Sequence, residues 1–352
     1  MEVTTVSTLE PTTAADLQAY YDRALLERAL PLLLHDKFGQ MRGIPLHAGR
    51  GGHGLSITFR KFGALPLNTT PLVEGVAPVG KKLSITDLKA TVSQFGDYVT
   101  LTDKVLMSEL DPLLSETAEL LGEQSGQSLD AVYRDVLNAG TNVIYNGTSA
   151  TARGNVDRFV DDTHNPFPLA IRTLENANVQ RIKEMVKAGV KISTSPIRAS
   201  FPALCGAFPK QDIEKLTNFV SYEEYAAYGD LMEGEFGAYK DIRFLMTTQA
   251  KRWANTGDTT GGDHDTAYST SDAAAAGSGV AVDVFSVLIF GKNAYGICPL
   301  GPRTVENIIT PPGGISDPLK QITTSGWKAI TTAIILQEDF MVRCEVASVA
   351  TP

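Results

Sequence analysis

Residues 112–140 read PLLSETAELLGEQSGQSLDAVYRDVLNAG, and the fold turns on how this stretch is interpreted. Asp111 suits an N-cap, because its carboxylate can accept a free backbone N–H of the first turn. Pro112 fits the first helical position, where its missing N–H removes nothing. Gly140 is a natural terminator, since glycine tolerates the left-handed exit. Between them Leu114, Ala118, Leu121, Ser125, Leu129, Val132, Val136 and Ala139 recur at steps of three and four, which predicts one apolar stripe. Glu116, Glu119, Glu123, Asp130, Arg134 and Asp135 fall largely outside it. At 1.5 Å per residue such a helix is on the order of 40 Å long, against about 11 to 12 residues for an average helix. A helix this long with a single apolar stripe reads as a spine on which other elements lean. Taken alone, it also fits a large α/β enzyme.

Immediately before the spine, Leu55, Ile57 and Phe59 alternate with Ser56, Thr58 and Arg60, the period of a strand. Residues 70–82 are rich in turn formers. Leu83 to Thr102 returns as strand material, so residues 49–103 read as a long two-stranded excursion. Isolated hairpins are marginal in water, and a neighbouring subunit is the expected support. Residues 1–15 are Thr- and Ser-rich and read as a polar arm, followed by a helix over 16–34. Downstream, a second helix is expected over 168–188, a short one over 212–219 and another over 222–228. Strands are expected at 242–247, 280–290, 327–336 and 340–347. Residues 255–279, NTGDTTGGDHDTAYSTSDAAAAGSG, are low in complexity and read as a surface insertion. Helices and strands mix without regular βαβ alternation, which predicts an α+β fold.

Composition narrows the function. The chain has 352 residues and a net charge of −9 from 31 Lys+Arg and 40 Asp+Glu. That balance argues against a reader of nucleic acid, which needs a basic surface for phosphates. Arg60–Lys61 and Lys81–Lys82 are short, isolated basic pairs. Cys205, Cys298 and Cys344 lie far apart without a CxxC and read as buried free thiols of a reducing compartment. The first residues lack the basic start and apolar core of a signal peptide, and no apolar run reaches membrane-spanning length.

Several catalytic patterns are approached and missed. Residues 74–81, EGVAPVGK, match GxxxxGK, but Lys82 stands where a phosphate loop needs Ser or Thr, and a strand follows instead of a helix. Residues 49–54, GRGGHG, match GxGxxG yet precede a strand where a dinucleotide loop would follow one. Asp258, Asp263, His264 and Asp265, or Asp157, Asp161, Asp162 and His164, carry oxygen ligands suited to a hard cation. Neither group has EF-hand spacing, and solvated loop carboxylates are the simpler reading. No catalytic residues, no cofactor and no metal site are expected.

The order of parts is more telling than any motif. A polar arm, a long two-stranded excursion, a spine helix and a mixed body resemble the major capsid proteins of tailed bacteriophages, with the Hong Kong 97-type coat fold. The stretches that carry the resemblance are RALP (28–31), TPLVEGVAP (70–78), ATV with QFG (90–96), LTD (101–103), LGEQ (121–124), GEFG with IRF (234–244), and DPLKQ with GWK (317–328). They look closest to the N-four-like branch. Residues 255–279 have no place in that pattern.

The resemblance implies an N-terminal arm with a helix (1–48), an extended loop (49–103) and a peripheral domain (104–190) holding the spine. It further implies an axial domain (191–312) and C-terminal strands (313–352) returning to the peripheral domain. It implies a structural protein that closes pentamers and hexamers of itself into an icosahedral head around double-stranded DNA, without sequence-specific binding and without a membrane. Portal and scaffold or decoration proteins would be partners, and the virion, assembled in the host cytoplasm, the location. Ile57, Phe59, Phe62 and Leu65 are the expected apolar contacts between subunits. Arg60, Lys61, Lys81 and Lys82 are expected to meet Glu116, Glu119 and Glu123 of a neighbour. An encapsulin shell, or an α+β enzyme, is the alternative.

Overall fold

The computed structural model describes residues 34–41, 56–63, 65, 67–69, 71, 74–75, 80–108, 113–147, 150–158, 165–182, 199–224, 232, 234–259, 267–270, 280–298, 305–311, 313 and 319–348. The expected arm, its helix over 16–33, the cap at Asp111–Pro112 and residues 49–54 lie outside these.

The spine is one helix, Leu113–Leu137, 25 residues long. Its buried stripe is Ala118, Leu121, Ser125, Leu129, Tyr133 and Leu137. The expected stripe departs from this in its second half, where Val132 and Val136 are half-buried and Ala139 is exposed. A period of 3.6 drifts against steps of three and four, and Tyr133 takes the inward position. Asp130, expected outside, is fully buried. Gly140 ends the spine for a different reason than left-handed geometry, since it is not among the positive-φ glycines. A Cβ there would lie 2.8 Å from Met341 Cε and 3.2 Å from Glu338 Oε2. The helix C-terminus is instead held by Arg343, whose guanidinium donates to the Asn138 and Gly140 carbonyls, a cation where the helix dipole favours one.

The spine lies on an eight-stranded mixed sheet. Its order is β5 (Val143–Tyr145), β16 (Met341–Val346), β11 (Val284–Phe290), β6 (Phe201–Cys205), β9 (Ile242–Met246), β8 (Glu235–Tyr239) and β7 (Phe219–Ser221), with β10 (Arg252–Trp253) also pairing β11. Strand alternation splits its side chains between two cores. Leu204, Leu245, Leu288, Phe290 and Met341 meet the spine residues Leu121, Leu129, Tyr133 and Leu137. Phe201, Ala203, Phe244, Phe285, Val287 and Val342 face the other way, against Phe167, Ile171 and Leu174 of a second helix, Phe167–Asn176. Every residue of β11 is buried, as the two-sided packing requires. The architecture is α+β, as expected.

Three element expectations need correction. The second helix starts at Phe167 and ends at Asn176, well short of 188, because Asn178 takes φ 53 and breaks the helical run. The short helix is Ala207–Glu214; of the helix expected over 222–228, Tyr222–Glu224 is 3-10 and the rest lies outside the described residues. The last two strands separate. Ile322–Thr331 (β14) lies between β13 (Val305–Thr310) and β4 (Ser93–Thr102) in a three-stranded sheet against the spine, whereas β16 enters the large sheet beside β11.

The insertion is fastened at Asn255 and again at Thr270. Asp283, fully buried, accepts from Asn255 N (2.9 Å), Thr270 N (3.2 Å) and the Thr270 hydroxyl. Ala267 and Ser269 are buried as well, Ala267 against Val156, Val282 and Ala347. The polar string is therefore not wholly a surface feature.

Candidate interaction surface

The two-stranded excursion is real but shorter than expected. β2 (Ser56–Phe62) pairs antiparallel with β3 (Ile85–Thr91), from Ser56 opposite Thr91 to Phe62 opposite Ile85. Beyond Val92 the chain leaves the hairpin and enters the β13–β14–β4 sheet.

The base of the hairpin is packed within its own chain. Ile57 is 2% exposed and Phe59 1%. With Ala90 and Val92 they cover Cys298, Ile330, Ile334 and Leu336. Gly296 lets the Phe59 ring approach, because a Cβ would sit 2.5 Å from its edge. Gly296 belongs to β12 (Tyr295–Ile297), which runs between β1 (Gln40–Met41) and β15 (Ala333–Ile335). Ile57 and Phe59 are thus core residues, and the expectation that they contact a neighbour is corrected.

Past Phe59 the apolar side chains turn outward. Phe62, Leu65, Leu83 and Ile85 are exposed, and Leu67 is 93% exposed. Arg60 is tied to Asp87 across the pair, Nε to Oδ1 at 2.9 Å, which raises its affinity for its proton. Lys81 Nζ donates to the Leu67 carbonyl at 3.4 Å. Lys82 is exposed and Lys61 half-buried. The outer hairpin therefore presents apolar side chains among cations. At its shoulder a cavity of about 500 Å³ is lined by Gln40, Arg60, Phe62, Asn293 and Phe340, among others.

The spine presents the opposite pattern. Glu116 and Glu123 are exposed and Glu119 half-buried. Between them stands Leu120, itself exposed and missed in the sequence reading. Its spacing of four from Glu116 and three from Glu123 puts all three on one face; that spacing was the available signal. Gln127 Nε2 donates to Glu123 Oε1 at 3.3 Å. Within one chain, no described contact joins Lys61 or Lys82 to these carboxylates.

Of the residues in the candidate cation groups, Asp157 and Asp258 are described. Asp258 Oδ1 accepts from Thr259 N at 2.7 Å, and Asp157 Oδ1 from Arg158 N at 2.7 Å. Asp161, Asp162, His164, Asp263, His264 and Asp265 lie outside the described residues. Among the described residues no group of three His, Cys, Asp or Glu side chains is placed to hold a metal ion, and no helix is long and apolar enough to cross a membrane. The three cysteines are buried and unpaired with one another. Burial pushes the Cys205 and Cys344 thiols up, away from the reactive thiolate.

No family model matches the chain. The "Major capsid protein" of Pseudomonas phage KPP21 is 25% identical over 178 residues, 48% of this chain and 45% of that protein. The alignment thus spans less than half of that relative's length. Solved structures match far more of the chain. The head structure of Helicobacter pylori bacteriophage KHP40 superposes with a TM-score of 0.57 and 9% identity, covering 99% of this chain and 95% of that one. The capsid of Ralstonia phage GP4 gives 0.56 and 12%, over 86% and 85%. The capsid of cyanophage P-SCSP1u gives 0.52 and 13%, over 90% and 88%. At such identities the shared property is the fold.

Proposed function

We propose that this chain, which has the Hong Kong 97-type coat fold of phage capsid proteins, is a major capsid protein. Its copies close pentamers and hexamers into an icosahedral head around double-stranded DNA. The observation that carries this is the outer hairpin. It holds several exposed apolar side chains beyond a base packed within its own chain, and exposed apolar surface of this kind marks a protein contact. Its complement is present on the same chain, in Leu120 framed by Glu116, Glu119 and Glu123. Basic residues on one surface and acidic residues on the other give a head-to-tail contact between copies, which generates rings. Phe62, Leu65, Lys61, Lys81 and Lys82 are the hairpin side of that contact, and Arg60 contributes through its pair with Asp87. The stretches that carry the resemblance favour the N-four-like branch of that family.

A shell of net charge −9 per subunit confines DNA without gripping it, since confinement needs no basic groove. The role is structural, and location in the virion follows from it, with assembly in the host cytoplasm. Portal and scaffold or decoration proteins are the further partners this role requires. Analytical sedimentation of the chain expressed alone and with its neighbouring head genes, with negative-stain images of the fast fraction, tests the reading. Closed particles or ring-shaped capsomers are expected, with nuclease-protected double-stranded DNA in complete heads. Particles filled with an enzyme would establish an encapsulin-type compartment instead. A discrete monomer in every context would overturn the shell reading.

A further inference from the structure

The sheet of β13, β14 and β4 leaves one long edge open. β4 reads SQFGDYVTLT and pairs with β14 over its whole length, from Ser93 opposite Thr331 to Thr102 opposite Ile322. Among the described residues no strand pairs its other edge, and every residue of β4 is exposed or half-buried. The ladder's parity shows which backbone groups face outward. Asp103 N, one residue past the strand, donates to the Gln321 carbonyl at 2.9 Å. Odd positions of β4 therefore bond β14, and even positions turn their N–H and C=O to the open edge. Tyr98 fits that parity. A Cβ at Gly326, its opposite residue, would lie 2.6 Å from Tyr98 Cβ, the close approach of a pair that exchanges no hydrogen bonds. Tyr98 N donates to Asp97 Oδ1 at 2.8 Å. Asp97 Oδ2 accepts from Gln124 Nε2 at 2.7 Å, and Gln124 Oε1 accepts from Trp327 Nε1 at 3.2 Å, so the spine holds the sheet in place. Proteins guard an open edge with lysine, proline or a bulge, because it is a template for another strand. β3 carries Asp87 and Lys89. β4 has neither lysine nor proline, its register is unbroken, and Asp97 is its single charge.

We propose that β4 is a two-fold contact between copies of this chain, in which two β4 strands pair antiparallel through their open edges and join two three-stranded sheets into one. Backbone parity, length and charge select a second β4 as the occupant. Placing Tyr98 opposite Tyr98 of the mate sets even positions against even positions, as the backbone groups require, and pairs residues 94–102 throughout. In that register Asp97 faces Val99 of the mate, so no like charges stand opposite each other. Tyr98 and Val99, 67% and 41% exposed in the single chain, become the centre of the contact. Forming the ladder exchanges the Tyr98–Asp97 contact for the mate's carbonyl, while Gln124 keeps its hold on Asp97. The pairing rests on the shell reading and supplies a contact that reading lacks. A head-to-tail contact closes rings, and a self-complementary two-fold contact is of the kind that joins one ring to the next.

Tyr98→Cys in the full chain tests this. In a hydrogen-bonded cross-strand pair the Cα atoms lie about 5.5 Å apart, within disulfide reach, and the three native cysteines are buried. Mild oxidation of assembled particles should link copies in pairs through position 98. Ile308→Cys, five strand spacings or about 24 Å from its mate, should not cross-link. Thr100→Pro removes an N–H that faces the open edge and leaves the bonds to β14 in place. It should keep the urea midpoint and the ring-shaped capsomers and lose closed shells. Tyr98→Lys sets two cations opposite each other, so closed shells should be lost at low salt and regained at high salt. Closed shells without a cross-link at 98, or closed shells from Thr100→Pro, would overturn the pairing and leave the shell reading standing. Pairs linked at 98 in a protein that forms neither rings nor shells would support the pairing and overturn the shell reading; absence of both would overturn both. A link from position 98 to a different head protein would overturn the second copy as the occupant.

Discussion

Phe59 and Phe62 stand three residues apart on one strand with opposite surroundings. The odd positions 57 and 59 face the body and are buried, whereas Phe62 faces out. Phe59→Ala should cost about 3–5 kcal/mol in urea unfolding, through lost transfer energy and the cavity left against Cys298 and Ile330. Phe62→Ala should leave stability within about 0.5 kcal/mol and slow or abolish particle formation in sedimentation. If both variants behave alike, the division of the hairpin into base and contact is wrong. Glu345 is a second informative residue. Fully buried, it takes two hydrogen bonds of 2.7 Å from Arg153 and an ion pair from Arg343. The Arg153 guanidinium also stacks over Trp253 at 3.8 Å. Glu345→Ala leaves the buried Arg343 without its partner and should cost about 3–5 kcal/mol, read as a lowered urea midpoint.

For the elements, the spine is the clearest case of what pattern reveals. Its existence and length followed from cap residues and periodicity, and Leu113–Leu137 lies inside the expected 112–140. Its phase was legible only in the first half. From Val132 onward either of two adjacent stripes is compatible with the letters, and the sheet beneath selects the one through Tyr133. Tyr133 then places its hydroxyl 2.6 Å from Thr331 Oγ1. Asp130 falls outside the stripe read from the sequence because its sequence neighbours say nothing of Leu34 and His35, nearly a hundred residues away. Gly140 was correctly read as the end of the helix but for the wrong reason, and this is testable. Gly140→Ala keeps an allowed backbone but crowds Met341 and Glu338, so it should destabilise by about 1–3 kcal/mol. At a left-handed position Asn would be tolerated better than Ala; here Asn should be worse than Ala, because size decides. Thermal unfolding of the two variants checks the order.

For the whole molecule, the proposed contact sets lysines of the hairpin against carboxylates on the spine of a neighbouring copy, and pairs so exposed are screened by salt. Reversing Lys81 and Lys82 to Glu should therefore raise the protein concentration needed for assembly, and the penalty should shrink at high salt. Equal assembly of the variant at low and high salt would remove charge from the account and leave the apolar contact alone.

The letters by themselves determined the features that depend on near neighbours along the chain. These are the spine, the alternation of the hairpin strands, the buried run of β11, the α+β class and the absence of a familiar catalytic signature. Local sequence suffices there because helix and strand periods act over a few residues. The tertiary structure alone decided which strands pair with which. It sent Ser93–Thr102 away from the hairpin to Ile322–Thr331, and Met341–Val346 to the centre of the large sheet. It buried Ile57 and Phe59 at home while leaving Phe62 and Leu65 outside, and it brought Leu34 and His35 to Asp130. Each outcome is a contact between residues far apart in the chain, settled by which apolar faces are available to cover one another, and that quantity is not written in any single stretch of sequence.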